Sequence, residues 1–327
     1  MFNENSIPRG PFRTELRRRE WLKVAGGMML APSLLGAAAE DWKAKAKQNL
    51  RLAVTSNTFA GLALEQAAAK IKELGFGGVL TDFAFADVRF DPLQPDWQAL
   101  KSIRAAFDRH GIGIVGLMGY TNIVDPDAER RKRGDAKLEF LIANWKRLGC
   151  PQVSTETGTL NTKSEWLESP ENATEAAYQQ CRAALERLAR QAEQTGAILS
   201  IEAYWRNVIG SIDRAERLFR DVKSPALKLV MDPCNYFRKE DLPNMQAMLE
   251  DMFKRLGSQV AIAHAKDVKA APDGTDLPAA GLGVLDYPLY LRLLAQLDRP
   301  LDLVVEHVTA ADVPRARDYV LAQMEKV

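Results

Sequence analysis

From Leu52 onward the sequence changes texture at regular intervals. Short apolar runs alternate with longer stretches whose apolar residues recur at helical period. The runs fall at 52–57, 78–83, 112–118, 152–158, 197–203, 227–231, 260–265 and 301–305. The helical stretches fall at 62–74, 97–110, 128–148, 173–194, 212–222, 243–256, 287–297 and 311–324. Gly75, Gly111, Gly149 and Gly196 each follow a helical stretch, where the left-handed turn that ends a helix favours glycine. Such alternation excludes an all-α or all-β fold. Eight strand–helix units in about 275 residues match the size of a closed barrel of parallel strands. An open, doubly wound sheet is the rival, but a glycine-rich phosphate loop would then follow its first strand. Asn57-Thr58-Phe59-Ala60-Gly61 stands there instead. The expectation is an α/β fold, a single-domain (β/α)8 TIM barrel over 40–327. No linker or short-period repeat marks a second domain.

Four side chains sit near the ends of the last four runs: Glu202, Asp232, His264 and Glu306. Their spacings of 30, 32 and 42 residues each correspond to about one strand–helix–strand repeat. In a barrel, strand ends of one polarity form the mouth, so all four converge on one side of it. Three carboxylates brought together repel one another unless a cation neutralises them. With one imidazole added, the donor set suits a divalent ion: Mn²⁺ before Mg²⁺ or Co²⁺, and Zn²⁺ after them.

The 46% hydrophobic content and net charge of +1 describe an ordinary globular chain and argue against nucleic acid as a partner. Cys150, Cys181 and Cys234 are an odd number with no close spacing, so neither a disulfide framework nor a zinc knuckle follows. The first 39 residues have a different logic. Arg17-Arg18-Arg19 precedes Trp21-Leu22-Lys23, a weakly apolar run over 24–35, and Ala37-Ala38-Ala39. Basic, apolar, small is the order of an export signal, and the paired arginines resemble a twin-arginine signal peptide. Residues 1–39 are therefore expected to be a signal segment that delivers the chain to the periplasm or otherwise exports it.

Several stretches together resemble the xylose-isomerase-like sugar isomerases and epimerases. They are Ser200-Ile201-Glu202-Ala203, Val230-Met231-Asp232-Pro233-Cys234-Asn235-Tyr236, His264-Ala265-Lys266-Asp267, Gly281-Leu282-Gly283-Val284-Leu285-Asp286-Tyr287 and Val304-Val305-Glu306-His307. Thr155-Glu156-Thr157-Gly158-Thr159 resembles a subgroup of the same family. The resemblance implies that Glu202 and Glu306 are both metal ligands and the acid–base pair. They would move a proton beside the carbonyl of a ketose through an enediolate. Departures accompany it. Asn235 stands where the epimerases carry a histidine, Lys269-Ala270 where they place an arginine, and Arg206-Asn207-Val208 where a further acid is expected. A retained metal core with an altered surround leaves β-elimination from a keto-inositol or 3-keto-glycoside as the alternative, since it begins with the same proton abstraction. A non-catalytic sugar-binding barrel is the third reading.

Other residues are secondary candidates. Alternation from His264 points Lys266 into the mouth. Lys266, Glu156, Asn57 and Asn235 are expected to bind substrate oxygens, for which paired donors and acceptors are needed. Trp205 and Tyr236 follow expected ligands and could stack on a sugar face or pack under loops. Asp267 is expected to orient a neighbour or cap its loop, and Asp286 to cap a helix. His307 is expected to turn outward towards the helices. The expected partners are a small-molecule sugar, the export machinery and, through the barrel rim, a second copy of the chain as a homo-oligomer.

Overall fold

The computed structural model describes residues 41–327, so the expected signal segment lies outside the described residues. Eight parallel strands close into a barrel. They are β1 (Leu50–Thr55), β2 (Gly78–Thr81), β3 (Gly113–Met118), β4 (Gln152–Glu156), β5 (Ile198–Glu202), β6 (Leu227–Met231), β7 (Val260–Ala265) and β10 (Leu301–Val305). Around the barrel the order is β1-β10-β7-β6-β5-β4-β3-β2. The missing numbers are a short antiparallel hairpin, β8 (Lys269–Ala271) with β9 (Gly274–Asp276), in the loop after β7. Nine α-helices are present among the described residues: α1 (Trp42–Asn49), α2 (Leu64–Glu73), α3 (Trp97–His110), α4 (Ala128–Leu148), α5 (Glu175–Thr195), α6 (Ile212–Val222), α7 (Met245–Leu256), α8 (Tyr287–Ala295) and α9 (Val313–Met324). No described helix is long and apolar enough to cross a membrane.

Two apolar layers hold this architecture. Ala53, Leu80, Val230, Ile262 and Val304 fill the barrel interior, packed by Val115 and Met118. A larger core lies between the strands and the helices. Strands buried on both faces must be apolar nearly throughout, which is why they read as continuous runs rather than alternating ones. Helix ends are marked as the sequence implies. Gly111, Gly149 and Gly196 adopt the left-handed conformation after α3, α4 and α5. At the other end of α3, Asp96 accepts from the backbone N–H groups of Gln98 and Ala99 at 2.9 and 3.1 Å. Asp96→Ala is expected to cost about 1 kcal/mol in urea unfolding, the usual worth of an N-cap.

Two elements escaped the sequence reading. Helix α1 precedes the first expected unit and packs on α8 and α9. Its mean hydropathy is low and its apolar face short, so periodicity gives it no signal. The β8–β9 hairpin contains only three residues per strand, below what alternation can reveal.

Candidate metal centre

Each of the four mouth residues stands at or just beyond the C-terminal end of its strand, where the backbone leaves the sheet. Glu202 ends β5, Asp232 follows β6, His264 is the penultimate residue of β7, and Glu306 follows β10. Because β5, β6, β7 and β10 are neighbours, the four side chains form one arc. Each offers a ligand atom, and these atoms all lie within 4.8 Å of one another. Metal–oxygen and metal–nitrogen bonds of about 2.0–2.2 Å put opposite ligands roughly 4–4.4 Å apart, so the cluster is close to coordination size. All four residues are buried.

The polar atoms in the cluster fit a cation. Both oxygens of Asp232, both ring nitrogens of His264 and Oε1 of Glu306 are buried without a hydrogen bond among the described residues. Orphaned buried acceptors are costly unless something takes up their lone pairs. Lys266 approaches without hydrogen-bond geometry, its Nζ lying 2.5 Å from Asp232 Oδ2, 2.8 Å from Glu306 Oε1 and 3.6 Å from Glu202 Oε1. His264 Nδ1 lies 3.3 to 3.6 Å from the same three carboxylates. Burial alone would favour neutral His264 and Lys266, but the surrounding carboxylates outweigh it and raise both well above their usual ranges. Burial likewise pushes Glu202 and Glu306 up, and the His264 and Lys266 charges overcome it, leaving both carboxyls below their usual range. Glu, Asp and His donors of this kind can hold a divalent ion. Saturating Mn²⁺ is expected to stabilise the fold by about 2.7 kcal/mol at a hundredfold excess over its Kd. Asp232→Ala should abolish that gain in a thermal melt. A melting temperature indifferent to Mn²⁺, Mg²⁺, Co²⁺ and Zn²⁺ would refute the metal assignment.

The cluster forms the floor of a cavity of about 520 Å³. Glu202 is held from two sides: Tyr120 donates its hydroxyl to Oε2 and Asn235 its amide N–H to Oε1, both at 2.6 Å. Glu156, paired in register with Glu202 on the neighbouring strand, lines the same cavity. It is buried and has no cation to answer it as closely as Lys266 answers the cluster. Burial first, then Glu165 and Glu202, push its carboxyl up to about 8, with Lys137 opposing. Asn57 lies in the turn after β1 and lines the exposed outer wall.

Some placements differ from expectation. His307 does not turn outward towards the helices. The strand ends at Val305, and His307 takes a left-handed φ of 52°, which returns its ring to the cavity. Its Nδ1 is 2.8 Å from the carbonyl of Leu277. A carbonyl only accepts, so Nδ1 carries the hydrogen of this bond. Trp205 and Tyr236 are buried and lie outside the cavity lining. The Trp205 indole N–H donates to Thr275 Oγ1 at 3.1 Å, and the guanidinium groups of Arg206 and Arg238 lie 4.5 and 4.6 Å from its ring. Packing under the loops is therefore their place. Cys234 is buried, its thiol pointing at the Lys266 carbonyl.

Asp267 and the glycine-rich turn are joined. Asp267 accepts from the backbone N–H groups of Val268, Gly281 and Leu285, each at 2.9 Å. A Cβ at Gly283 would collide with the Val268 carbonyl and the Asp267 carboxylate, so only glycine passes there. The turn shapes the rim, and Asp286 caps α8 by accepting from Leu289 N–H.

Three aromatic lining residues had no place in the sequence reading: Tyr120, Tyr204 and Trp166. Tyr120 and Tyr204 each lie two residues past a barrel strand, so scanning every strand end for aromatic as well as acidic residues finds them. Trp166 sits in the long connection after β4 and offers no such signal.

The architecture is shared with solved structures. A xylose isomerase-like TIM barrel protein from Mycobacterium smegmatis in complex with magnesium is 17% identical, with a TM-score of 0.63 over 86% of this chain and 98% of that one. The 3-keto-D-glucoside 4-epimerase from E. coli is 18% identical, with a TM-score of 0.63 over 85% of this chain and all of that one (100%). An L-ribulose 3-epimerase is 17% identical, with a TM-score of 0.63 over 85% and 95%. No curated protein matches the sequence. Residues 68–323 match the sequence pattern described as Xylose isomerase-like TIM barrel, and the chain belongs to that family.

Proposed function

We propose that this chain is a divalent-metal-dependent isomerase or epimerase of a ketose or keto-sugar, with Glu202 and Glu306 as its acid–base pair. One observation carries the reading. Glu202 and Glu306 stand at the two ends of the four-strand arc, with Asp232 and His264 between them, on the floor of a substrate-sized cavity. A divalent ion held by these four residues would supply Lewis-acid stabilisation to the oxygen that gains charge as the proton leaves, with Mn²⁺ the first choice. One glutamate takes the proton beside the carbonyl, and the other returns one from the far side. Lys266 and Asn235 stand beside these carboxylates, where they can also reach substrate oxygens. Two relatives of this fold are described as a 3-keto-D-glucoside 4-epimerase and an L-ribulose 3-epimerase, which agrees in kind with a sugar substrate. Export through the twin-arginine route is part of the proposal and rests on residues 17–39 alone.

A second reading, elimination from a keto-inositol or 3-keto-glycoside, is favoured by Glu156. A carboxyl that keeps its proton near neutrality, facing the same cavity, is placed to protonate a leaving group. The test is proton exchange in D₂O with the Mn²⁺-loaded protein and a panel of ketoses, inososes and 3-keto-glycosides. Label entering beside the carbonyl is expected, and the product, an epimer or an unsaturated ketone, separates the two reactions. Absence of label from every sugar, with metal bound, would overturn both.

A further inference from the structure

We propose that the cavity takes a keto-glycoside of two rings, the keto ring over the carboxylate floor and the second ring against the indole of Trp166 at the rim. This deepens the keto-sugar reading above and rests on it. Trp166 is 56% exposed, the only exposed Phe, Tyr or Trp among the described residues, yet it lines the same cavity as Glu202 and Glu306. What sets it apart is its place on the cavity wall, where an indole offers a flat apolar face with a polar N–H edge to whatever binds there.

The loop that carries it is built rather than loose. Asn161 Oδ1 accepts from the N–H groups of Lys163 and Ser164, and its amide donates to the Glu168 carbonyl. Ser164 Oγ accepts from Trp166 N–H, and Thr159 Oγ1 donates to the Leu167 carbonyl. Asn172 then ties the base of the loop to Thr159 and to the Arg206 carbonyl. Glu168 pairs with Arg238 at 2.8 Å. These side-chain bonds fix the backbone that carries the indole before any ligand arrives, so binding loses little loop entropy.

Size and polarity point the same way. A cavity of about 520 Å³ falls in the range of roughly 300–1,000 Å³ that encloses drug-sized ligands, more than one sugar ring requires. Its lining adds the side chains of Tyr204, Leu277, Val308 and Trp166 to the charged floor. A pyranose or aryl ring offers a matching apolar face, and stacking on an aromatic plane is the favoured contact for it.

The experiment measures binding by calorimetry on the Mn²⁺-loaded protein. The probes are a matched set, the methyl and 4-nitrophenyl glycosides of 3-keto-glucose together with 3-keto-cellobiose. The wild type is expected to bind the two-ring probes about tenfold tighter than the methyl glycoside. Trp166→Ala should lose that advantage while holding the methyl glycoside within about twofold, and Trp166→Phe should keep most of it. Equal affinity for one and two rings in the wild type would overturn the proposal, as would an advantage that survives Trp166→Ala. Unchanged melting curves certify that the variants fold, as expected for an exposed side chain. Ring preference without deuterium exchange on any probe would remove the proposed reaction and leave the platform. Exchange without ring preference would remove the platform alone.

Discussion

Replacing Glu306 with Gln is expected to slow deuterium exchange beside the substrate carbonyl by about 10³-fold, within the range of a lost general base. Gln keeps the volume of Glu and a carbonyl-type oxygen, so the barrel mouth keeps its shape while the basic charge disappears. Glu306 is the sharper choice because its Oε1 is buried with no hydrogen-bond donor satisfying it, although Lys266 stands 2.8 Å away. Glu202 differs, since both its oxygens already accept bonds of 2.6 Å from Tyr120 and Asn235, which makes it the more firmly placed of the two. Glu202→Gln should also fail, whereas Tyr120→Phe should cost roughly 10- to 150-fold, because one hydrogen bond to a charged carboxylate is worth about 1.5–3 kcal/mol. Saturating Mn²⁺, checked by its thermal shift in each variant, separates loss of the base from loss of the ion. Exchange in Glu306→Gln within tenfold of the wild type, with metal bound, would take the acid–base role from this residue.

The barrel was legible because its strands and helices obey different periods, and a strand covered on both faces is mostly apolar. The four residues of the arc were legible for a related reason: an acid at the end of an apolar run contradicts its surroundings, and four such contradictions one unit apart point to one place. Legibility failed where the chain leaves regular structure. Alternation assigned Lys266 to the mouth, one residue past β7, and the side chain lies there. The same rule sent His307 the wrong way, because a positive φ one residue beyond Glu306 reverses the direction a strand would have set. Tyr120 owes its role to a hydrogen bond across 82 residues of sequence, and Trp166 to a loop shaped by side-chain bonds of Asn161 and Ser164. Neither kind of contact leaves a period in the sequence. Glu156 was visible as a polar residue at a strand end, but its protonation follows from burial beside other acids, which only the packed structure supplies.

That protonation predicts a pH-dependent stability which Glu156→Gln should erase. The carboxyl is raised from 4.5 to about 8 by burial, then by Glu165 and Glu202. Below pH 4.5 both the folded and the unfolded chain carry the proton, and the group costs nothing. Between pH 4.5 and about 8 the unfolded chain ionises while the folded chain holds its proton, so stability falls as pH rises. The slope is about 1.4 kcal/mol per unit for one group, which sums to the order of 3–5 kcal/mol by pH 8. Above that pH the loss is complete and the curve levels. Gln occupies the same space without ionising, so the variant should match the wild type near pH 4.5 and exceed it increasingly towards pH 8. Urea unfolding of chelator-treated protein at pH 4.5, 6 and 8 measures this directly, free of any ion that would draw the Glu156 proton away. Parallel curves for the two proteins would mean that Glu156 is ionised in the folded state. The protonated carboxyl that favours elimination would then be missing, and epimerisation by Glu202 and Glu306 would keep the stronger case.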